Sequence, residues 1–311
     1  MLTWELMGAV VGAGLASGRE IAAFFTQYGA WGSIGILLAA LTMAWLTGTE
    51  SPSVWQGKWP LRLWEHLLTA MLVATGGAML SGSGMVAALL LPVRHAALIG
   101  AALTFLTAWL LAYRTRSGLA WVSRVLLIIL TAVILAAFLL PRRDAAVIAR
   151  TRPVSALAKG LTYGGFNAAL QCPLLAASPQ NARTKGRSVR RAAFLLCVLL
   201  LLGHAALLRH PALIGEPMPF IRLTASLGRA GHFLGACSMY LAILSTLTAC
   251  LRGLERHRGL SAGVIAVSLL GFSGVVEAVY PLLGGGCMLW LAAAKFTNST
   301  ARPFISRSDM L

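Results

Sequence analysis

The stretch of sequence that decides the fold is Gly8-Ala-Val-Val-Gly12-Ala-Gly-Leu-Ala-Ser-Gly18-Arg-Glu-Ile21. It lies in an apolar run of about 20 residues, the length that one helix needs to cross a bilayer. Each of its glycines weakens a helix by about 1 kcal/mol relative to alanine. Ser17 and Glu20 have the spacing of a capping box, which starts a new helix. The pattern predicts a membrane helix that is interrupted between Gly12 and Gly18 and restarts at Ser17–Gly18.

A continuous helix is the alternative explanation of the same glycines. Gly8 and Gly12, and likewise Gly14 and Gly18, stand four residues apart. Small residues at this spacing let two membrane helices pack closely. Taken alone, the stretch favours neither hypothesis.

The composition of the whole chain indicates a membrane protein. Of its 311 residues, 58% are hydrophobic and 11% are charged, with a mean hydropathy of +0.78. Soluble domains have about 25% charged residues, so this chain has too few polar side chains to coat a water-soluble particle. Its apolar runs are continuous rather than alternating, which favours membrane helices over a β-barrel. We therefore expect an all-α polytopic membrane protein.

The net charge of +17 does not indicate a nucleic-acid-binding protein, because the positions of the basic residues have another explanation. They lie in short breaks between apolar runs, where membrane proteins keep Lys and Arg. If the N-terminus is cytoplasmic, the cytoplasmic connections hold about twice as many of them as the outer connections. We expect a protein of the bacterial cytoplasmic membrane with both termini cytoplasmic. Its expected partners are the lipid bilayer and a small-molecule solute, and not nucleic acid.

Ten windows of about 20 apolar residues predict ten membrane spans. A tight turn near Tyr280–Pro281 is expected to join the last two. The predicted spans are 4–26, 31–49, 62–90, 96–113, 119–140, 154–177, 190–208, 228–252, 260–279 and 281–297.

A second candidate interruption lies half a chain after the first, in the sixth span. It reads Tyr163-Gly-Gly-Phe-Asn167. Five spans precede the midpoint and five follow it, so the second half must have inverted topology. Transporters built from inverted repeats place paired broken helices in this way. We predict one transmembrane domain over 1–311, a 5+5 inverted repeat of about 1–150 and 151–300, with helices 1 and 6 discontinuous.

Several motifs, in order along the chain, resemble a known family. Gly12-Ala-Gly-Leu-Ala-Ser-Gly-Arg-Glu-Ile21, with Phe24-Phe25 and Gly29 after it, is similar to the opening of the YkvI-like membrane proteins. Weaker similarities follow at Met79–Gly84, Tyr163–Asn167, Gly271–Ser273 and Tyr280–Pro281. The resemblance implies the amino acid–polyamine–organocation transporter superfamily and its LeuT-type fold.

The chain departs from this family at three places. Arg19 stands where the family usually has Gln, and Ser245-Thr246 where it usually has threonines. Gly164 and Gly165 are also smaller than the pattern suggests. These departures concern the ligand more than the fold.

The candidate substrate site lies between the two interruptions. Its predicted residues are Gly12, Ala13, Gly14, Ala16, Ser17 and Gly18 in the first span and Tyr163, Gly164, Gly165 and Asn167 in the sixth. Backbone groups and half-helix ends could hold a zwitterion or an ion there without buried charged side chains. The alternatives are close helix packing for the small residues, capping for Ser17 and an interhelical hydrogen bond for Asn167.

Glu20, Lys159, Ser245 and Thr246 are candidates for ion binding or gating. An acidic residue within a membrane span is a functional candidate by default. Glu20 could pair with Lys159 to close the outer face, or Lys159 and Arg19 could extend to the interface. The resemblance implies that hydroxyls in the eighth span bind Na⁺. Hydroxyls such as those of Ser245 and Thr246 can equally bond back to their own helix.

Together these features predict a secondary active transporter that works by alternating access. The expected solute is an amino acid or a related amine, with Na⁺ or H⁺ as coupling ion and no other cofactor or metal. A membrane-embedded solute sensor or receptor on the same scaffold is the alternative, because fold does not fix function. The chain has no HExxH motif, no GxSxG motif and no paired intramembrane aspartates, so we do not expect an enzyme.

Overall fold

The computed structural model describes residues 2–47, 58–114, 152–254 and 259–300, with isolated positions between 125 and 135. Within these ranges the chain is helical and contains no strand. Four helices are long and apolar enough to cross a membrane: Arg62–Leu90, Ala182–Leu208, Gly228–Gly253 and Phe272–Phe296. Many large apolar side chains lie exposed on their outer faces, as those of lipid-facing helices do. The structure is compatible with a helical membrane protein.

The helices of the first half are α1 (Leu2–Val10), α2 (Ala13–Ser17), α3 (Arg19–Phe24), α4 (Trp31–Thr47), α5 (Lys58–Leu90) and α6 (Ala96–Arg114). Those of the second half are α7 (Pro153–Ala177), α8 (Ala182–Leu208), α9 (Pro219–Ala225), α10 (Gly228–Gly253), α11 (Ser261–Ser268), α12 (Phe272–Gly274) and α13 (Tyr280–Thr300). A π-helical turn, Val275–Val279, joins α12 to α13 without a gap.

The first predicted interruption is confirmed. Gly12 is extended, with φ −91° and ψ −176°, so the helical hydrogen-bond ladder of α1 stops before it. Gly18 has a φ of +83°, in the left-handed region that favours glycine, and separates α2 from α3. The first span is therefore three short helices, and the last of them begins at Arg19, directly after the predicted restart.

The second predicted interruption is wrong, because α7 is continuous through Tyr163–Asn167. A Cβ atom added to Gly164 would lie 2.6 Å from the carbonyl oxygen of Ala39 in α4. One added to Gly165 would lie 2.6 Å from the carbonyl oxygen of Gly284 in α13. The two glycines let α7 pack closely between two helices, and they do not break it.

The predicted turn near Tyr280–Pro281 is also wrong. The chain turns at Leu269–Gly271, where Gly271 has a φ of +78°. Pro281 lies inside a helix instead, where its ring would collide with the carbonyl group of Glu277 four residues earlier. Glu277 lies in the π-helical turn, where hydrogen bonds span five residues instead of four. The wider turn leaves room for the proline ring beside this carbonyl group.

Helix α3 lies in the interior of the described structure, where all of its residues are buried. Helix α2 packs against α9 and α10, and α3 packs against α7, α8 and the π-helical turn. Helix α5 contacts α6, α10, α11 and α13. Most of the fifth predicted span, 119–140, lies outside the described residues. The ten-span inverted repeat and its two halves stay a prediction.

The close contact at Gly165 predicts a matched pair of stability changes. Gly165→Ala forces its new methyl group into the backbone of α13 and should destabilise the protein by about 1–3 kcal/mol. Gly274→Ala is the control, since a Cβ there meets no atom within 4 Å. It should stabilise the protein by about 0.5–1 kcal/mol. Thermal unfolding in detergent measures both, and an equal response of the two variants would contradict the packing described here.

Candidate functional site

The carboxyl group of Glu20 lies at the centre of the broken first span. Glu20 is only 5% exposed, and its Oε2 accepts a hydrogen bond of 3.0 Å from the hydroxyl group of Tyr163 in α7. Its Oε1 lies where a side chain at Gly14 would begin, so only glycine leaves room for the carboxyl group. The structure thus brings Glu20 and Tyr163 together, with Gly14 directly beside them, which the sequence analysis did not predict.

The predicted capping box of Ser17 and Glu20 is wrong, because Gly18 is the N-cap of α3 and has no side-chain cap hydrogen bond. Ser17 instead bridges the two helices. Its Oγ accepts the backbone N–H of Arg19 at 3.1 Å and donates to the carbonyl oxygen of Gly14 at 2.8 Å. The side chain therefore joins the end of α2 to the start of α3. Its capping-box partner, Glu20, points instead toward Tyr163 and Gly14.

The predicted ion pair between Glu20 and Lys159 is wrong. The Nζ of Lys159 lies 5.1 Å from the ring centroid of Phe24. Lys159 and Tyr163 are one helical turn apart on α7, as Glu20 and Phe24 are on α3. The two helices meet in antiparallel register, which places Tyr163 on Glu20 and Lys159 on Phe24.

Arg19 ties three segments together through its guanidinium group. Its Nη2 donates to Oε1 of Glu277 in the π-helical turn. Its Nη1 donates to the carbonyl oxygens of Ile214 and Glu216, at 2.9 and 3.2 Å. We call this set of contacts the Arg19 clamp. The sequence analysis missed Glu277, although an acidic residue inside a predicted span is a signal that could have found it.

Thr246 faces the first break from α10, while Ser245 does not. A Cβ atom at Gly12 would lie 3.4 Å from Oγ1 of Thr246, which is buried and has no hydrogen-bond partner among the described residues. Ser245 instead donates to the carbonyl oxygen of Ala242 at 3.0 Å. Of the two predicted hydroxyls, Thr246 alone is free to serve a ligand at the break.

Helix α7 turns a line of polar side chains inward at Tyr163, Asn167 and Gln171. The four-residue spacing places them on one face, and all three are buried. Asn167 donates to the carbonyl oxygen of Tyr163 at 2.9 Å, within its own helix. Both polar atoms of the Gln171 amide lack a partner in the described structure. The sequence analysis missed Gln171, which the four-residue spacing from Asn167 could have indicated.

The remaining predicted residues divide into two groups. Ala13 and Ala16 belong to α2, beside the break, and Ala16 is buried. Atoms of the neighbouring helices α4 and α13 occupy the space beside Gly164 and Gly165. These two glycines therefore do not face the break.

Phe220 of α9 covers the break at Gly18. Its ring atoms lie 3.1 Å from the position of a Cβ at Gly18, and the ring is buried. The short helix α9 thus lies over the junction between α2 and α3.

The chain matches no protein-family model and none of the curated proteins. The resemblance to the YkvI-like family stays a prediction. The function is therefore argued from the site itself.

The contact at Gly18 predicts a second matched pair. Gly18→Ala and Gly228→Ala both place an alanine in left-handed backbone, which costs about 1–2 kcal/mol. Only Gly18→Ala also meets the ring of Phe220, because nothing lies within 4 Å at Gly228. Thermal unfolding should show the larger loss for Gly18→Ala. Equal losses would mean that Phe220 does not pack on this break.

Proposed function

We propose that the protein is a secondary active transporter of a small solute, an amino acid or a related amine. The observation that carries the proposal is the break at Gly12, which faces the unpartnered hydroxyl of Thr246 inside an apolar helix. Interrupted membrane helices are tolerated where their backbone lines a cavity or a binding site. The break is thus a place where a solute can replace missing hydrogen bonds.

Buried polar side chains without partners support a solute site in this interior. Among the described residues, side-chain atoms of Gln171 in α7 and Thr246 in α10 are buried and lack a hydrogen-bond partner. Each unsatisfied buried group costs about 1–3 kcal/mol, which a polar solute would recover. Zwitterionic or amine solutes offer the donors and acceptors that such groups need.

The Arg19 clamp supports alternating access. It connects α3 to the segment before α9 and to the π-helical turn, so the predicted outer side of the site is held closed. The side chain of Glu277 is 49% exposed and that of Arg19 is 11% exposed, so water reaches the clamp from one side. Opening the clamp and rocking these helices would expose the site to that side.

A coupling cation fits the same region. Hard cations prefer oxygen ligands, and Thr246 and the backbone at Gly12 provide them. A bound Na⁺ would supply a positive charge beside the break. H⁺ is the other candidate.

Solute exchange tests the proposal directly. Proteoliposomes loaded with a panel of amino acids and amines should exchange at least one labelled solute by counterflow. Thermal stabilisation by a solute without any flux would favour the sensor hypothesis instead. Neither flux nor stabilisation from folded protein would contradict both.

A matched pair of variants tests the position of the site. Gly12→Val should insert and fold, because Gly12 is extended and a Cβ there makes an ordinary contact with Thr246. Its side chain fills the break, so solute binding and exchange should be lost. Gly259→Val is the control, since a Cβ there meets nothing within 4 Å. Wild-type exchange by Gly12→Val would place the site elsewhere.

The clamp predicts a local change in dynamics. Arg19→Gln removes the contacts to the carbonyl groups of Ile214 and Glu216, so backbone amides near 214–216 should exchange hydrogen faster. Arg222→Gln is the control. It breaks only an exposed pair with Glu216, at 3.6 Å, and such pairs contribute about 0–1 kcal/mol. Hydrogen exchange measured by mass spectrometry compares the two, and equal exchange would show that Arg19 holds nothing closed.

A further inference from the structure

We infer that Glu20 carries the proton that couples transport. Its carboxyl group is protonated in the closed arrangement and releases the proton when the Arg19 clamp opens. This inference rests on the proposed transport function and names its coupling ion. Three features of the structure support it.

The first feature is burial without a counter-charge. Glu20 is 5% exposed, and its carboxyl group accepts a hydrogen bond from the neutral hydroxyl group of Tyr163. The ion pairs found among the described residues join Arg19 to Glu277 and Arg222 to Glu216, so neither includes Glu20. An ionised carboxylate in such a place loses its hydration without gaining a cation. Binding a proton removes that cost.

The second feature is the lack of room for any larger cation. The carboxyl group lies directly against Gly14, where even one added carbon would overlap it. Its partner Tyr163 is packed against two further rings: the centroids of Phe24 and Phe25 lie 5.0 and 5.1 Å from that of Tyr163. A metal ion needs several oxygen ligands around it, whereas a proton needs no additional space.

The third feature is that the nearby titratable groups are engaged elsewhere. On α7, Lys159 lies over the ring of Phe24. On α8, the Nδ1 of His204 is 3.0 Å from Oγ1 of Thr26.

The π-helical turn and α13 complete the surroundings of Glu20. Glu277 is paired with Arg19, and the hydroxyl group of Tyr280 is neutral and buried. Besides its chain neighbours, α2 and the 3₁₀ turn Thr26–Tyr28, helix α3 packs against α7, α8 and the π-helical turn. No group among them supplies an ion pair to Glu20 within the described structure.

The clamp gives the proton a route. Arg19 precedes Glu20 on α3, and its partner Glu277 is half-exposed. When the clamp opens, water can reach α3. The O–H bond of the Glu20 carboxyl group then breaks, its electron pair stays on the carboxylate and the proton passes to a water molecule. Before the clamp closes again, the carboxylate takes up a proton from water on that side and holds it in the closed arrangement together with the solute. When the site opens to the opposite side, the carboxyl group releases the proton to water there. Each cycle therefore moves one proton with the solute.

Infrared spectroscopy tests the protonation without any solute. The full-length protein in lipid nanodiscs should show the C=O band of a buried protonated carboxyl group at neutral pH. Glu20→Gln should lose that band, and Glu65→Gln, at an exposed position of α5, should keep it. Tyr163→Phe should keep the band but shift its frequency, because the hydrogen bond to Oε2 is gone. A band that is missing from the wild type, or that survives in Glu20→Gln, would overturn the inference.

Transport under a pH gradient tests the coupling. Glutamine mimics the protonated side chain, so Glu20→Gln should still exchange the labelled amino acid or amine that the wild type exchanges by counterflow. It should fail to accumulate that solute under an imposed pH gradient, while Glu65→Gln accumulates it as the wild type does. Gradient-driven accumulation by Glu20→Gln, or loss of its exchange in folded protein, would overturn proton carriage. Absence of exchange by the wild type would instead contradict the proposed function, and the infrared result would still decide whether Glu20 holds a proton.

Discussion

A helix buried in an apolar interior must pair its backbone N–H and C=O groups, and the first span of this protein does so only in part. Its hydrogen-bond ladder stops at Gly12 and again at Gly18. The segments around it compensate for these stops. Ser17 joins the two short helices. Phe220 covers the break at Gly18, and Thr246 faces the break at Gly12. The buried carboxyl group of Glu20 depends on the same geometry, because it occupies space that a side chain at position 14 would fill.

The sequence indicated the place of the break in the first helix, because closely spaced glycines act within a few residues. These glycines left a continuous, closely packed helix equally open, and the second interruption, which favoured the break, is wrong. The second interruption could not be predicted by the same reasoning. Glycines such as Gly164 and Gly165 look alike whether they break a helix or pack it, and the deciding contacts come from Ala39 and Gly284, more than a hundred residues away. The turn near Tyr280–Pro281 was mistaken for a similar reason, since a π-helical turn can absorb a proline that usually ends a helix.

The sequence indicated residues that lie at or beside the break, among them Glu20, Tyr163 and Thr246, but not the partners that they contact. Their part in binding a solute or an ion stays a prediction. Charge suggested Lys159 as the partner of Glu20, but helix register gives it Tyr163. Arg19 and Glu277 are separated by 258 residues, and no local pattern connects them. Tertiary packing determines which of several chemically acceptable partners a buried group meets, and sequence patterns do not contain that information.

The first span is broken, whereas the sixth predicted span is a continuous helix. Hydrogen exchange of the backbone amides, measured by mass spectrometry on the full-length protein in nanodiscs, tests this contrast most directly. Amides at the start of a helix lack intrahelical partners, so residues 12–18 should exchange faster than residues 160–170, which lie in the middle of a continuous helix. Equally slow exchange in both segments would show that the first helix is unbroken and would contradict this account.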